Sequence, residues 1–184
     1  MKLVIGITGS TGVIYGVRML QVLKDCNVQT HLIFTEWAKK CLQMETSFAI
    51  DEVKKLATLY SDDSNLAAGP SSGTYKTDGM IIIPCSMKTL SSIANGYDET
   101  LVARTAGVTL KESRRLVLVP RETPLTAINL DNMLKLARLG VVILPPVTEF
   151  YTKPKSLYEM IDHIVGKCLD QFNIEHHLYN RWGT

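Results

Sequence analysis

Residues 3–16 read Leu-Val-Ile-Gly-Ile-Thr-Gly-Ser-Thr-Gly-Val-Ile-Tyr-Gly. The run begins with apolar, largely β-branched residues, which are typical of a buried strand. Residues 9–12 then interrupt it with glycine and hydroxyl side chains, and apolar residues recur at helical spacing at Val13, Val17 and Leu20. The stretch therefore predicts a strand, a tight turn and a helix.

The turn at Gly9, Ser10, Thr11 and Gly12 is a candidate anion site. The first backbone N–H groups of a helix have no partner inside the helix, and phosphate binds readily at such a helix start. The two hydroxyls add further donors. The alternative is an ordinary turn in which Ser10 or Thr11 only caps the helix.

The glycine spacing excludes two common nucleotide sites. Gly6, Gly9 and Gly12 are spaced by three, which differs from the G-x-G-x-x-G fingerprint of dinucleotide sites. Glu36, near the end of the second predicted strand, could hold a ribose, but the glycines do not fit. No Gly-Lys-Ser/Thr follows them, so a P-loop is excluded as well. The turn favours the phosphate of a mononucleotide.

Composition places the chain among ordinary globular proteins. It has 184 residues, 46% hydrophobic and 21% charged, and a net charge of +2 that gives no reason to expect nucleic acid as a partner. No apolar run is long enough to span a membrane, and the chain enters its first strand without a signal peptide. The four cysteines lack metal-site spacing and are typical of reduced, mostly buried thiols. We expect a cytoplasmic protein without a metal site; the cysteines are Cys26, Cys41, Cys85 and Cys168.

Strands alternate with helices along the whole chain. After the first strand, the predicted strands are 28–34, 79–84, 115–119 and 141–144. The predicted helices after the first are 37–44, 51–59, 86–94, 99–111, 129–138 and 156–172, the last with an apolar stripe that includes Leu157. Residues 61–77 are predicted as a long loop, with at most a short strand at 74–76. The pattern predicts a three-layer α/β fold, a Rossmann-like (flavodoxin-like) parallel sheet with helices on both faces, forming one domain over 1–184.

Ligands of such sheets bind beyond the carboxyl ends of the strands, so the segments that follow the strands carry the candidate chemistry. Ser86 is predicted at a helix start, as a simple cap or as part of a ligand site. Arg121 and Glu122 lie between two prolines, as a surface ion pair or as a rigidly held functional pair. Arg104 and Lys111 are two helical turns apart and share a helix face.

The sequence gives little support for catalysis by a histidine or for a hydrolase. None of the four histidines has an obvious catalytic neighbour, and His176 and His177 are predicted to lie in an exposed tail. The sequence contains neither G-x-S-x-G nor H-E-x-x-H, which disfavours serine hydrolases and metalloproteases.

Five segments together resemble the UbiX/Pad family of flavin prenyltransferases. The likeness runs from Lys2 to Trp182, and it is closest to the B subunits that accompany phenolic-acid and hydroxybenzoate decarboxylases. The segments are residues 6–16, Pro-Cys-Ser-Met-Lys-Thr-Leu at 84–90, Leu-Val-Leu-Val-Pro-Arg-Glu-Thr-Pro-Leu at 116–125, Asn-Met-Leu-Lys-Leu at 132–136, and Arg-Trp at 181–182.

The resemblance implies a metal-independent transferase. It would join a dimethylallyl group from dimethylallyl phosphate to N5 and C6 of reduced FMN, and so make the prenylated cofactor of a UbiD-type (de)carboxylase. The resemblance also implies a homododecamer with its sites at subunit junctions.

The resemblance further assigns site residues. The FMN contacts would be Gly9, Ser10, Thr11, Thr35, Ser86, Met87, Lys88, Thr89 and Arg121. The dimethylallyl phosphate contacts would be Arg104, Lys111, Glu122, Tyr151 and Lys167. The catalytic residues would be Glu122, Lys111, Thr11 and Glu45, since cations hold a leaving phosphate and a carboxylate moves a proton.

The chain departs from the family pattern at four of these positions. Thr11 and Thr35 stand where many members have Ser, and each keeps a hydroxyl. Lys88 stands where Gly is common. Lys167 stands where Arg is common, which keeps the charge but loses a bidentate grip on phosphate.

Two other interpretations remain open. A flavin-dependent cysteine-type decarboxylase has a similar fold, but it carries Pro-Ala-Ser-Ala-Asn-Thr where this chain has residues 84–89, together with a catalytic histidine. A non-catalytic FMN-binding subunit of a decarboxylase would have no need of Lys111, Glu122 or Tyr151.

Overall fold

The structure is a computed structural model that describes residues 1–183, and its centre is a parallel β-sheet. The strands are β1 (Lys2–Ile7), β2 (Gln29–Phe34), β3 (Leu59–Asp62), β4 (Gly79–Cys85), β5 (Arg115–Pro120) and β6 (Val142–Ile143). The helices are α1 (Val13–Asp25), α2 (Glu36–Glu45), α3 (Ile50–Lys54), α4 (Met87–Ala94), α5 (Leu101–Lys111), α6 (Ala127–Arg138) and α7 (Leu157–Asp170). A 3-10 turn covers Gly69–Ser71.

The strand order is β3-β2-β1-β4-β5-β6, and every neighbouring pair is parallel. The chain builds the sheet outward from β1 to β3 on one side, and from β4 to β6 on the other. The order therefore reverses between β1 and β4, and a crevice opens beyond their carboxyl ends. Ligands of open α/β sheets bind at such a reversal.

Helices cover both faces of the sheet. On the first face, Leu3, Ile5 and Ile7 of β1 pack with α1, α2 and α7. On the second face, Val4 of β1 and Met80 of β4 pack with α4, α5 and α6. Successive side chains of a strand point to opposite faces, so a strand covered on both sides must be apolar at every position. The continuous apolar runs in the sequence have this cause, and the predicted three-layer α/β class is confirmed.

Three details of the predicted elements are wrong. The helix predicted at 51–59 ends at Lys54, and Leu59 begins the edge strand β3. No strand forms at 74–76, where the described chain follows a turn and an irregular path. The final strand has only two residues, both half-buried, instead of a core strand over 141–144. Short edge strands lack the continuous apolar pattern that identifies central ones.

The carboxyl-terminal part also differs from expectation. His176 is buried at 8% exposure, whereas the sequence predicts an exposed tail. Leu157 is 69% exposed and lies outside the apolar stripe of α7. Within residues 1–183, no helix is both long enough and apolar enough to cross a membrane.

Gly16 allows α1 to lie directly against the sheet. A Cβ at this position would lie 2.6 Å from the Ile83 carbonyl oxygen and 2.7 Å from Ile7 Cδ1. The first of these is a backbone atom, which cannot rotate away, so any side chain would push α1 off β1 and β4. The helix start that faces the crevice therefore depends on this glycine.

We expect Gly16→Ala to lower the free energy of unfolding by about 1–3 kcal/mol, the usual cost of overpacking a core. Urea unfolding followed by circular dichroism measures it. Gly107→Ala is the matched control, because the atoms nearest to a Cβ there belong to the Asp98 carboxylate, from 3.0 Å, and are side-chain atoms that can move. This control should be neutral or stabilising, since alanine favours a helix over glycine. Equal stability of the two variants would contradict the close approach.

Candidate active site

The loops after β1 and β4 are joined by one buried hydroxyl. Thr8 Oγ1 donates to the Pro84 carbonyl oxygen at 2.9 Å and accepts from the Ser86 N–H at 2.8 Å. The side chain is 1% exposed, so both bonds are shielded from water. They set the distance between the two strand ends at the order reversal, which is the bottom of the crevice.

The loop after β5 joins the same rim. Ser10 Oγ donates to the Arg121 carbonyl oxygen at 3.1 Å, and the Arg121 N–H donates to the Cys85 carbonyl oxygen at 3.2 Å. On the other side of β1, the Thr35 N–H donates to the Ile7 carbonyl oxygen at 3.1 Å. The structure thus brings Ser10, Thr35 and the backbone of Arg121 to one edge.

The start of α1 is filled by a carboxylate of the same chain. Gly12 is the N-cap, with φ of 92° and no side-chain cap bond, and it needs glycine for that left-handed conformation. Glu45, the last residue of α2, accepts from the N–H of Gly12 at 2.8 Å and of Val13 at 3.4 Å. Neither Ser10 nor Thr11 caps the helix. A phosphate on the first turn of α1 would have to compete with Glu45.

The starts of α2 and α4 leave donors for a ligand. Thr35 caps α2 by accepting from Ala38 N–H at 3.2 Å. Within residues 1–183, the N–H groups of Glu36 and Trp37, the first two residues of the helix, have no protein acceptor. Unpaired donors at a helix start attract anions.

The start of α4 repeats this arrangement on the other side of β1. Ser86 Oγ accepts from the Thr89 N–H at 3.3 Å and donates to Thr89 Oγ1 at 3.1 Å. The N–H groups of Met87 and Lys88 have no acceptor within the described chain, and the Lys88 side chain is exposed. The cap predicted at Ser86 is confirmed. Two helix starts with free donors therefore flank the end of β1.

The charges around the crevice favour an anionic ligand, and the Cys85 thiol nearby is protonated. Burial raises the pKa of Tyr15, in the first turn of α1, and the nearby Arg121 guanidinium opposes that shift. Arg121 is exposed, so its charge is available to a ligand. Burial strongly raises the pKa of the Cys85 thiol at the end of β4. That thiol stays protonated near neutral pH and cannot act as a nucleophile.

Arg121 and Glu122 do not form the surface ion pair considered from the sequence. Glu122 Oε1 accepts from the Thr123 N–H at 3.0 Å, and both charged side chains are exposed. The described residues contain no ion pair between them. Two opposite charges at this rim therefore remain free to meet separate parts of a ligand.

Arg104 and Lys111 line a second, separate cleft on the face of α5. This open cleft of about 470 Å³ is lined by Ser71, Ser72, Gly73, Thr74, Arg104, Lys111 and Glu112. Arg104 pairs with Asp98 at 3.0 Å, and Lys111 pairs with Glu112. Lys111 ends α5 just before β5 begins, so it lies near the amino edge of the sheet. A strand of six residues separates that edge from the rim by about 20 Å.

Tyr151 and Lys167 belong to the opposite face of the sheet. Tyr151 packs edge-on against His163 of α7, with ring centroids 5.9 Å apart. Lys167 is exposed one helical turn further along α7. Since α5 and α7 cover different faces, one chain does not bring the five predicted phosphate contacts together.

Sequence reasoning missed Thr8, Glu149 and His163. Thr8 follows an apolar strand as an ordinary turn residue would, and no local pattern marks a hydroxyl that bridges two distant loops. His163 lies beside the apolar stripe of α7 and not in it, so the periodicity of the helix gave no signal that this histidine is buried. Within residues 1–183, no group of three or more His, Cys, Asp or Glu side chains is arranged to hold a metal ion.

A family model described as Flavoprotein matches residues 1–173. A probable UbiX-like flavin prenyltransferase from Streptomyces sp. (strain D7) is 50% identical over 183 residues, which cover 99% of this chain and 92% of the relative. The chain belongs to the UbiX-like flavin prenyltransferases. This membership confirms the resemblance found in the sequence.

Two solved structures of UbiX-like proteins match the whole chain. A dodecameric FMN-dependent UbiX-like decarboxylase from Escherichia coli O157:H7 has a TM-score of 0.98, 48% identity and full coverage of both chains. AnUbiX (PadA1) in complex with FMN and dimethylallyl pyrophosphate has a TM-score of 0.98 and 45% identity, covering 100% of this chain and 97% of the other. A peptidyl-cysteine decarboxylase matches at 20% identity and a TM-score of 0.64, which shows a shared fold alone.

The contact between Glu45 and the start of α1 gives a testable consequence. We expect Glu45→Ala to lower the free energy of unfolding of the ligand-free protein by about 0.5–2 kcal/mol, the usual cost of losing a helix cap. We expect no gain in FMN affinity, because free donors remain at the starts of α2 and α4. Thermal melts and flavin titration measure the two effects.

Gln43→Ala is the control for this variant, because Gln43 is exposed on the same helix. It should leave both stability and FMN affinity near the wild-type values. Tighter FMN binding by Glu45→Ala would contradict this expectation and would support a phosphate site at the first turn of α1.

Proposed function

We propose that this chain is a flavin prenyltransferase, which transfers a dimethylallyl group from dimethylallyl phosphate to N5 and C6 of reduced FMN. The observation that carries the proposal is the reversal of strand order between β1 and β4, flanked by two helix starts with free donors, in a chain of this family. The proposal takes residues 1–184 as one flavoprotein domain and involves no metal.

The rim residues suit FMN as the acceptor substrate. We assign the FMN phosphate to the free N–H groups at the starts of α2 and α4, with the hydroxyls of Thr35, Ser86 and Thr89 nearby. Arg121 adds a positive charge at the same edge. Gly9 allows close contact with α2, since a Cβ there would lie 2.4 Å from Trp37 Cβ. The remaining FMN assignments, Ser10, Thr11, Met87 and Lys88, lie in the same loops.

The reaction of the second substrate, dimethylallyl phosphate, requires positively charged side chains and a group that can move a proton. In the transfer, the allylic C–O bond breaks, phosphate leaves with the bonding electrons, and the new bond to N5 replaces the N5 proton. The alkene π bond then breaks as it takes up a proton, and the second new bond replaces the proton on C6. Lys111, Arg104, Tyr151 and Lys167 are assigned to the departing phosphate, where positive charge and donors stabilise the growing negative charge. Glu122 and Glu45 are assigned to proton movement and Thr11 to the reacting edge of the flavin.

These assignments require more than one copy of the chain. Arg104 and Lys111 lie on one face of the sheet, and Tyr151 and Lys167 lie on the other, so their convergence needs neighbouring subunits. Exposed apolar side chains support assembly, including Ile128 at 72% and Phe150 at 70% exposure. We therefore propose a homododecamer, as described for the Escherichia coli relative.

The proposed product has a recipient outside this chain. We propose that the prenylated flavin is passed to a UbiD-type (de)carboxylase in the cytoplasm, an assignment supported by the sequence resemblance. The direct experiment mixes the protein with reduced FMN and dimethylallyl phosphate without oxygen, and identifies the released flavin by mass. A flavin that gains one C5H8 unit supports the proposal, and unmodified FMN overturns it.

A decarboxylase activity of this chain is the main rival. We expect no sustained carbon dioxide release from 4-hydroxybenzoate when the protein is supplied with FMN and dimethylallyl phosphate but no partner enzyme. The buried, protonated Cys85 and the absence of an assigned catalytic histidine support this expectation. Continued release in proportion to enzyme concentration would favour the decarboxylase instead.

Glu122→Gln should separate chemistry from flavin binding. The change is isosteric, so FMN affinity should stay within about twofold, while product formation should slow by roughly 10²-fold, the usual contribution of a positioned proton-transfer group. Single-turnover absorbance measures the rate. Glu99→Gln, an exposed control, should react at the wild-type rate. An unchanged rate for Glu122→Gln would leave Glu122 without a catalytic role.

Lys111→Ala should instead weaken the binding of the second substrate, dimethylallyl phosphate. Loss of a charge-assisted phosphate bond costs about 1.5–3 kcal/mol, which raises the dimethylallyl phosphate requirement by roughly ten- to a hundredfold. The same single-turnover assay across substrate concentrations measures it, with the exposed Lys76→Ala as control. An equal substrate requirement in both variants would remove Lys111 from the site.

A further inference from the structure

The ring of Tyr151 is held between two other aromatic rings. His163 meets it edge-on at 5.9 Å and 89°, and Trp182 meets it edge-on at 5.4 Å and 85°. Tyr151 itself lies in the irregular segment between β6 and α7. A side chain on such a segment has no regular backbone to orient it, so these contacts determine where its ring points.

Glu149 connects the hydroxyl of Tyr151 to the same histidine. Burial and the neighbouring Glu149 carboxylate raise the pKa of the Tyr151 phenol, and His163 Nε2 lies 2.7 Å from Glu149 Oε2. His163 is only 4% exposed. Burial lowers its pKa, with the negative charge of Glu149 opposing that shift, so the ring is mainly neutral near neutral pH. The carboxylate therefore stands between a buried imidazole and an exposed phenol.

The carboxyl-terminal segment supports His163 from the other side. Tyr179 stacks on the His163 ring with centroids 4.3 Å apart and planes 17° apart. The Tyr179 hydroxyl donates to Asp170 Oδ2 at 2.5 Å, and Arg181 donates to both carboxylate oxygens, at 2.7 and 3.3 Å. Burial raises the pKa of Asp170, but the bonds from Arg181 and Tyr179 outweigh it and lower the pKa to about 2.

Gly166 lets this segment lie directly on α7. A Cβ at Gly166 would lie 2.5 Å from Tyr179 Cε1 and 2.7 Å from His176 Cε1. His176 also reaches Asp170 Oδ1 with Nε2 at 3.2 Å. The tail is thus docked by packing and by one shared carboxylate, and it returns Trp182 to the ring of Tyr151.

We propose that Glu149, His163, Asp170 and Tyr179 are positioning residues that fix the place and orientation of the Tyr151 ring, which the proposed function puts beside the allylic substrate. The proposal rests on the assignment of Tyr151 under the proposed function and adds how this chain orients it. These contacts form one closed network. Asp170 binds Tyr179, Tyr179 stacks on His163, and His163 meets Glu149 beside Tyr151. Trp182 packs on Tyr151, and its neighbour Arg181 binds Asp170 again. A side chain oriented before binding spares the substrate the entropic cost of ordering it.

Tyr179→Phe tests this network of contacts at a residue that is not itself assigned to the substrate. It keeps the ring that stacks on His163 and removes only the donor to Asp170. We expect the KM for dimethylallyl phosphate to rise by roughly three- to tenfold, the size expected for one side chain that must now be ordered on binding. FMN affinity should not change. Tyr158→Phe is the matched control, because Tyr158 is an exposed tyrosine on α7, the helix that the carboxyl-terminal segment packs against, and its KM should equal that of the wild type.

A double-mutant cycle shows whether Tyr179 acts through Tyr151. If it does, Tyr151→Phe combined with Tyr179→Phe should have nearly the KM of Tyr151→Phe alone. Independent effects would multiply, as they do for residues without coupling. A multiplicative result would overturn the positioning role, because general damage to the fold adds to the loss of Tyr151 instead of being masked by it.

Arg181→Gln keeps the test decisive if Tyr179→Phe folds poorly. Arg181 has a half-exposed side chain at the end of the tail, so its change should spare the core. It should raise the KM in the same direction, while the mass assay still detects prenylated FMN. An active wild type with an unchanged KM in both variants overturns this inference alone. A wild type that never forms the adduct overturns the proposed function, and this inference with it.

Discussion

The Thr8 hydroxyl joins the two halves of the sheet at the place where ligands bind. Its bonds to Pro84 and Ser86 hold the end of β1 against the end of β4, where the strand order reverses. Because both bonds are buried, water does not compete for them, and the crevice keeps its width. The helix starts of α2 and α4 then lie on either side of a fixed point, and each carries free N–H groups.

A parallel sheet covered on both faces has little room for polar chemistry inside. The strands are apolar throughout, so functional groups collect at the strand ends and on exposed helix faces. This constraint explains why the rim carries hydroxyls, free donors and the charge of Arg121, while Arg104, Lys111 and Lys167 lie on α5 and α7. Within one chain, the sheet lies between α5 and α7, so side chains on these two helices cannot meet. The proposed assembly of several copies would overcome that separation.

Glu45 and Glu149 show how the chain uses its own carboxylates near sites expected to bind anions. Glu45 accepts from the first N–H groups at the start of α1, and Glu149 lies between Tyr151 and His163. Glu45 thereby satisfies backbone donors that would otherwise need water. It also disfavours a phosphate at the start of α1, since like charges repel at short range. We therefore expect a phosphate at the starts of α2 and α4 instead.

The sequence by itself determined the fold class, the central strands, the cap at Ser86 and the family, because each depends on local periodicity or on contiguous motifs. It did not determine β3 or the two-residue β6, since edge strands lack a continuous apolar pattern. Only the tertiary structure decided that Glu45 fills the start of α1, that Thr8 joins two loops and that His176 is buried. These contacts pair residues far apart in the chain, and no local pattern encodes such a distance. The same reason separates Arg104 and Lys111 from Tyr151 and Lys167: a sequence motif assigns residues to a shared role, but the sheet between α5 and α7 decides whether one chain can bring them together.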